Sequence, residues 1–310
     1  MPAPKTVSNQ NLITKLFQIY VRDKDIRTFK RNFFYYFYYR FSRLFLNAPI
    51  KIKINNLKLY SNHQKNKTSH SLIQKCDFFD VSEINMIKKL NNYHKIFMVD
   101  CGCNFGFYSL FTASLSKDNR IISIEASRDT LEEFNKNLTI NNFNNIKVMN
   151  KAVMDIDNKK LFFNESEKDW ESSLVSDKFI VKKKIEIETV TIDKILMSEN
   201  FDKKLLILKI DVEGTDFNVL EGAKNTIKIN KPIIIIEFSK YIFKNKKFNY
   251  QYLNNFLKTN NYQIFGKKGE KHSISEILSL LANLDKAHDT IGNYYLLSNN
   301  REEISKKIFN

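Results

Sequence analysis

Residues 95–111 have the sequence K-I-F-M-V-D-C-G-C-N-F-G-F-Y-S-L-F, and this stretch decides the fold. The unbroken apolar run at 96–99 is typical of a parallel strand buried on both faces. A turn containing Gly102 and Gly106 follows Asp100, and the residues after the turn predict a helix. Two of the chain's seven glycines lie in this turn, where they allow backbone torsions that other residues avoid. Strand, glycine turn and helix together predict the first βα unit of a nucleotide-binding sheet.

The spacing of the turn indicates which nucleotide it suits. Its frame is D-x-G-x-N-x-G, with Asn104 where a dinucleotide-binding fingerprint has its second glycine, and no phosphate-binding G-K-[ST] follows. A second, mostly apolar strand at 121–124 ends in Glu125, which is placed to accept hydrogen bonds from ribose hydroxyls. Asp100 suits a cationic group such as the ammonium of a methionine moiety. These features predict S-adenosylmethionine, and the alternative is a structural turn with an incidental glutamate.

Two motifs resemble those of one protein family. The stretch 100–109, D-C-G-C-N-F-G-F-Y-S, resembles the D-x-G-x-N-x-G-x-Y-S signature of the FkbM-type S-adenosylmethionine-dependent methyltransferases. The stretch 209–223, K-I-D-V-E-G-T-D-F-N-V-L-E-G-A, is similar to that family's K-I-D-V-E-G-x-E segment, with Asp216 where glutamate is usual. The resemblance covers roughly residues 50–298. It implies a class I methyltransferase sheet and O-methylation of a small molecule or sugar, and it does not fix the substrate.

The cofactor contacts are predicted from the first motif and from the order of the strands. In a sheet of this kind the end of the third strand, 146–149, normally borders the adenine, so the backbone after it is expected at the adenine edge. The predicted cofactor-binding residues are Asp100, Gly102, Asn104, Gly106, Tyr108, Ser109, Glu125, Asn150 and Ala152.

The chemistry is predicted at the end of the fourth strand, 205–210. Asp211 follows this strand beside the expected methyl position and is the candidate base that accepts the proton of an attacking hydroxyl. Glu213 and Glu237 are expected to share that role or to bind sugar hydroxyls, and Lys209 to tune the pKa of Asp211. The alternative is a divalent metal held by the three acids. No metal constellation marks the sequence, so a metal-free site is favoured.

The predicted fold is an α/β doubly wound, Rossmann-like sheet of seven strands in the order 3-2-1-4-5-7-6, with the last strand antiparallel. A helix and a β-hairpin centred on residues 55–56 precede it. The predicted units are a basic-aromatic helical extension at 1–48, a hairpin and entry helix at 49–93, the catalytic domain at 94–300 and a charged, peripheral tail at 301–310.

Three local expectations accompany this fold. Residues 80–90 begin with a D-x-x-E pattern, which predicts a capped helix. Residues 162–173 are expected to form a polar loop in which Trp170 either stacks on a ligand or covers the edge of the core. His70 is expected in a solvated loop, with a catalytic role as the alternative.

The amino-acid composition indicates where the protein is located and which partners it can bind. The formal net charge is +16, which reflects either compositional drift or attraction to an anionic partner. Basic residues are interspersed among aromatic residues through 29–45. This helix is therefore expected to pack on its own domain or a second subunit, to lie on an anionic membrane surface, or to stack on nucleic-acid bases. Three cysteines without a disulfide framework, and the lack of a visible signal peptide, predict a cytoplasmic protein, with peripheral contact at the inner membrane face as an extension.

Two other function classes compete with this interpretation. A nucleic-acid methyltransferase fits the basic charge, but D-V-E-G stands at 211–214, where amino-methylating enzymes of that kind usually carry a Pro-Pro-aromatic loop. A non-catalytic scaffold with a degenerate fold is disfavoured by the intact glycine and acidic positions of both motifs. The sequence therefore favours a small-molecule or glycan acceptor over nucleic acid.

Overall fold

The computed structural model describes residues 50–54, 57–61, 80–166, 174, 181–240, 242–244, 249–284 and 290–309. Its strands are β1 (Ile50–Ile54), β2 (Leu57–Ser61), β3 (Ile96–Cys101), β4 (Arg120–Ile124), β5 (Ile146–Met149), β6 (Ala152–Val153), β7 (Lys160–Ser166), β8 (Val181–Val190), β9 (Leu205–Ile210), β10 (Ile233–Ser239), β11 (Tyr262–Phe265), β12 (Lys271–His272) and β13 (Thr290–Ser298). Its α-helices are α1 (Val81–Asn91), α2 (Phe107–Leu115), α3 (Arg128–Asn141), α4 (Ile192–Met197), α5 (Asp216–Glu221), α6 (Lys224–Asn230), α7 (Tyr250–Asn260), α8 (Ile274–Ala282) and α9 (Glu302–Phe309).

The central sheet has the strand order β12-β11-β13-β10-β9-β3-β4-β5. Strands β5, β4, β3, β9 and β10 are parallel, and β13 is inserted antiparallel between β10 and β11. The predicted fold class and the order of its seven strands are therefore confirmed. The two-residue strand β12 adds an eighth strand at the edge, which the sequence did not predict because its pattern is too short to detect.

Strand β3 is buried on both faces because helices cover both sides of the sheet. All six of its residues are buried, and its side chains alternate between two hydrophobic cores. Ile96 and Met98 join the core beneath α1 and α2, whereas Phe97 and Val99 join the core beneath α4, α5 and α7. The motif after β3 is thereby fixed at the carboxyl edge of a rigid sheet.

The predicted hairpin is present, and it packs on the catalytic core. Strands β1 and β2 pair antiparallel with Ile54 opposite Leu57. The backbone N–H groups of Lys58 and Tyr60 donate to the side-chain oxygens of Asn141 and Asn137 on α3, at 2.9 and 2.5 Å. Leucines of β2 join the core beneath α1 and α2. The hairpin therefore extends the same hydrophobic core that supports β3.

Two expectations about local structure were wrong. Residues 160–166 form strand β7, although 162–173 was predicted to be a polar loop. Strand β7 pairs with β8, and β8 pairs on its other side with β6. The segment 301–310 contains α9, whose Ile304 and Ile308 are buried, so its described part is not a peripheral tail. The segment is not peripheral because α9 has an apolar face, whose Ile304 and Ile308 side chains pack into the core beside α1.

Several sequence predictions lie outside the described residues. These are the helical extension at 1–48 with its aromatic and basic segment 29–45, His70 and Trp170. They stay predictions. Among the described helices, none combines the length and the apolar character needed to cross a membrane.

Candidate active site

The turn between β3 and α2 satisfies its own backbone donors. The N–H groups of Gly102 and Cys103 donate to the Ile124 carbonyl at 2.9 and 3.1 Å, and that of Gly106 donates to the Cys103 carbonyl at 2.9 Å. The N–H of Asn104 donates to Glu125 and that of Phe105 to the side chain of Asn104, at 2.9 and 2.7 Å. A phosphate-binding loop needs such N–H groups to point at its ligand. In this turn the five N–H groups are instead bonded within the protein, and the preference for a nucleoside without a pyrophosphate stays a prediction.

The two glycines of this turn are required by contacts within the protein. Gly102 has φ 74°, and a Cβ built on it would lie 2.0 Å from the carbonyl oxygen of Asp211. Gly106 has φ 85°, and its Cβ would lie 2.0 Å from the Phe134 ring on α3. Both positions combine a left-handed backbone with a close neighbour. The turn can therefore approach β9 and α3 only because these residues lack a side chain.

Asp100 lies in β3 with its carboxyl group buried, at 2% exposure. The Ser109 hydroxyl donates to it at 2.5 Å, and the same hydroxyl lies 2.7 Å from that of Ser123. Burial raises the pKa of Asp100 to about 6, although the Ser109 hydrogen bond and the charge of Lys209 oppose the rise. Ser109 was predicted to bind the cofactor, and in the structure its hydroxyl group hydrogen-bonds the carboxyl group of Asp100.

Glu125 joins the glycine turn to the loop that follows β4. One of its carboxylate oxygens accepts the N–H of Asn104 and the other accepts the N–H of Ser127, both at 2.9 Å. Burial raises the pKa of Glu125 to about 7, and the hydrogen bonds from Ser127 and Asn104 limit the rise. Each oxygen retains a second lone pair for a ligand hydroxyl. Glu125 is therefore both a support of the turn and a candidate ligand contact.

A cleft opens at the carboxyl edge of the sheet, between the β3–α2 turn, the loop after β4, strands β6 and β7, and the β9–α5 turn. Its apolar wall contains Ile124, Val153, Phe163 and Leu174. The sequence predictions missed both Phe163 and Leu174, and Phe163 was missed because 162–173 was assigned to a polar loop. A signal was present in β8, whose alternating K-I-E-I-E pattern requires a partner strand.

Lys209 and Asp211 form an ion pair beside the cleft. The Lys209 side chain is 2% exposed, and its Nζ donates to Asp211 Oδ2 at 2.9 Å. The same Nζ lies 5.2 Å from the centroid of the Tyr108 ring. Burial lowers the pKa of Lys209, but the charge and hydrogen bond of Asp211 outweigh it, so the net shift is upward. Lys209 therefore stays charged and orients Asp211 through this ion pair. The predicted influence of Lys209 on the acidity of Asp211 stays a prediction.

Asp211, Glu213 and Glu237 form an acidic cluster. Each offers an oxygen, and the three oxygens lie within 4.8 Å of one another. Burial raises the pKa of Glu237 to about 8, with a further contribution from the charge of Asp211. The sequence placed these acids at neighbouring strand ends, and the sheet brings all three together.

The turn that carries Asp211 and Glu213 is held by Asp216. Its carboxylate accepts the N–H groups of Val212 and Gly214 at 3.3 and 3.1 Å. Asp216 occupies the position where glutamate is usual in the related family. Asp216 therefore supplies the carboxylate that caps this turn.

Tyr108 and Asp80 form a second polar contact of the cleft. The Tyr108 hydroxyl donates to Asp80 Oδ2 at 2.8 Å, and both residues line the cleft. Asp80 precedes α1 with φ 54° and its side chain makes no cap hydrogen bond, so the predicted capping pattern is wrong. Sequence reasoning missed Asp80 as a site residue because the D-x-x-E spacing suggested a local role instead.

The predicted cofactor residues separate into two groups. Asp100, Gly102, Asn104, Tyr108, Glu125 and Ala152 line the cleft. Gly106, Ser109 and Asn150 are not among its lining residues. The amide nitrogen of Asn150 donates to the carbonyls of Glu125 and Ala126 at 2.9 Å, so it fixes the loop after β4. These three residues therefore support the structure around the cleft without lining it.

Comparison with known proteins gives one family. Residues 100–264, a little over half of the chain, match the model described as the methyltransferase FkbM domain. No curated protein sequence matches the chain.

Solved structures with a related arrangement share little sequence with the chain. The methyltransferase FkbM from Methylobacillus flagellatus KT has a TM-score of 0.39 and 19% identity over 73% of this chain. The chain spans only 52% of that protein. M. jannaschii TYW2 in complex with AdoMet has a TM-score of 0.40 and 11% identity, covering 81% of this chain and 84% of its own. A caffeoyl-CoA O-methyltransferase homologue from Staphylococcus aureus has a TM-score of 0.38 and 12% identity, covering 71% and 85%.

The contact between Gly106 and Phe134 predicts the effect of a substitution. Gly106→Ala should destabilise the protein more than Gly292→Ala, because both glycines have φ 85° but only Gly106 faces a close neighbour. Backbone strain alone costs about 1–2 kcal/mol, and overpacking against Phe134 adds about 1–3 kcal/mol. Denaturant unfolding of both variants measures the difference. Equal destabilisation would contradict the inferred packing role of Gly106.

Proposed function

The chain belongs to the FkbM family of S-adenosylmethionine-dependent methyltransferases, and we propose that it methylates a sugar hydroxyl of a surface glycan or of its lipid- or nucleotide-linked precursor. The observation that carries the proposal is the acidic cluster beside the cleft. Carboxylates accept hydrogen bonds from hydroxyl groups, and three of them lie within 4.8 Å of one another at Asp211, Glu213 and Glu237. Such a cluster favours an acceptor that carries hydroxyl groups.

The residues of the cleft fit S-adenosylmethionine. Glu125 is assigned to the ribose hydroxyls, since its carboxylate lines the cleft with lone pairs to spare. Asp100 is assigned to the ammonium of the methionine moiety, and the backbone at Ala152 to the adenine edge. Phe163 and Leu174 supply an apolar wall against which a base can lie. When bound, the cofactor supplies an electrophilic methyl group on a sulfonium.

Asp211 is the proposed proton acceptor. The acceptor oxygen forms a bond to the methyl carbon while the carbon–sulfur bond breaks, and the hydroxyl proton passes to the Asp211 carboxylate. The buried ammonium of Lys209 holds that carboxylate in one orientation through the 2.9 Å hydrogen bond. Orientation of this kind lowers the entropic part of the barrier.

The location and contacts of the chain form part of the proposal. We place it in the cytoplasm, with the basic and aromatic segment 29–45 as a contact with the inner membrane face or with a second subunit. A membrane contact would bring the active site close to lipid-linked glycan precursors.

The role of Asp211 is tested by Asp211→Asn. This variant should bind S-adenosylmethionine with unchanged affinity while the methylation rate falls by about 10²- to 10⁴-fold, the range for a positioned acid–base group. Calorimetry measures the binding, and single-turnover assays measure the rate. The matched control is Glu186→Gln, which alters an exposed acid on β8. A rate within a few fold of wild type in Asp211→Asn would rule out the base role.

The pKa of Glu125 predicts a pH dependence of cofactor binding. Ribose hydroxyls donate to the ionised carboxylate, and burial raises the pKa of Glu125 to about 7. Affinity should therefore be highest above pH 7 and fall as Glu125 becomes protonated, approaching about tenfold per pH unit. In Glu125→Gln the decline should start lower, near the pKa of Asp100 at about 6. Calorimetry between pH 5.5 and 8.5 checks this; identical profiles would exclude Glu125 as the ribose contact.

The acceptor is tested in cells that lack the gene. Mass spectrometry of their surface glycans should show the loss of one methyl ether, and re-expression of the wild-type chain should restore it. Re-expression of Asp211→Asn is the matched control, because it lacks the proposed base and its binding of S-adenosylmethionine reports whether it folds. Unchanged glycan methylation would refute the glycan acceptor.

A further inference from the structure

The acidic cluster of Asp211, Glu213 and Glu237 has the spacing of a divalent-cation site. Around an octahedral Mg²⁺ at about 2.1 Å, ligand oxygens lie about 3–4 Å apart. The three oxygens of the cluster lie within 4.8 Å of one another, so a small closure around an ion reaches that geometry. All three side chains are partly exposed, which leaves the position open to an ion and to a substrate oxygen.

Asn293 provides an independent observation at the same place. In the antiparallel pair of β10 and β13, Asn293 lies directly opposite Glu237. Residues directly opposite in such a pair place their side chains on one face of the sheet, with Cβ atoms about 4.5–5.5 Å apart. Asn293 is 6% exposed, and its Oδ1 is buried without a hydrogen-bond partner. A buried carbonyl oxygen without a partner is costly, and amide oxygens are common ligands of hard cations.

The neighbouring charges are compatible with an ion. Lys209 is the buried cation beside the cluster, and its Nζ is hydrogen-bonded to Asp211 Oδ2 at 2.9 Å. Because Lys209 contacts Oδ2, the other carboxylate oxygen of Asp211 is left for a metal ion. Three carboxyl groups thus meet at one position, and Asn293 stands beside Glu237 on the neighbouring strand.

We propose that Asp211, Glu213, Glu237 and Asn293 bind Mg²⁺ or Mn²⁺ through oxygen atoms, and that this ion coordinates the acceptor hydroxyl. The inference rests on the proposed function of the same site and deepens it. Coordination lowers the pKa of the bound hydroxyl. Its proton passes to the Asp211 carboxylate, its lone pair forms the bond to the methyl carbon, and the carbon–sulfur electron pair remains on sulfur, which leaves as a neutral thioether.

The site is tested first by metal binding, without turnover. Electron paramagnetic resonance of free Mn²⁺, titrated with the full chain, should show saturable binding of one ion. Glu213→Gln and Glu237→Gln should each weaken it by about 10- to 100-fold or more, since even residues that only support metal ligands have effects of that size. The matched control Glu186→Gln, an exposed acid on β8, should bind Mn²⁺ as the wild type does.

Asn293→Leu tests the amide ligand separately. It removes a buried oxygen that has no partner, so without metal the variant should be at least as stable as the wild type. Its Mn²⁺ affinity should nevertheless fall by about tenfold. Binding of S-adenosylmethionine serves as the readout of correct folding for every variant.

Metal-dependent turnover tests the role of the ion. With unmethylated glycans from cells lacking the gene, a chelator should abolish methyl transfer and added Mg²⁺ should restore it, while cofactor affinity stays unchanged. Transfer that persists in chelator, or Mn²⁺ binding that is absent or insensitive to the cluster variants, would overturn the metal proposal and leave the proposed methyltransferase function intact. Saturable Mn²⁺ binding at the cluster without glycan methylation would support the metal site and refute the glycan acceptor.

Discussion

The buried ammonium of Lys209 is the interaction on which the rest of the site depends. A lysine at 1% exposure keeps its charge only if carboxylates compensate the loss of water, and Asp211 does so at 2.9 Å. Asp100 is its in-register neighbour on β3, and the Tyr108 ring packs against the ammonium. One positive charge thus links the residue assigned to the cofactor with the residue assigned to the acceptor.

On the central strands, the polar residues of the site lie only two residues from the apolar core that stabilises the fold. Ser123, Asp100 and Lys209 are register partners on adjacent strands and form a polar row near the carboxyl edge. Two residues earlier on β3 and β9, Met98 and Ile207 are wholly buried in an apolar core. The apolar core holds the strands in register, and the register fixes the spacing of the polar row.

The sequence could predict those parts of the site that local patterns specify. Patterns of only a few residues identify the unbroken apolar run of β3, the glycine turn and the D-V-E-G turn. These three features were enough to predict the fold and most of the cleft. Asp80 was misassigned because its partner, the Tyr108 hydroxyl, is brought to it by tertiary packing. Glu237 and Asn293 are neighbours only through the pairing of β10 and β13, which no local pattern encodes. Strand β7 was missed because L-F-F-N-E-S lacks the alternation of a half-buried strand.

Gly102 brings the turn assigned to the cofactor into direct contact with the backbone of Asp211, the proposed base. A Cβ at this position would lie 2.0 Å from the Asp211 carbonyl oxygen, and the Asp211 N–H donates to the Cys101 carbonyl at 3.0 Å. The turn assigned to the cofactor and the backbone of the proposed base are therefore in direct contact. Methyl transfer requires the acceptor oxygen and the methyl carbon to meet at close range and in line. In this fold that alignment is set by backbone contact between two strand ends, which is stiffer than contact through flexible side chains.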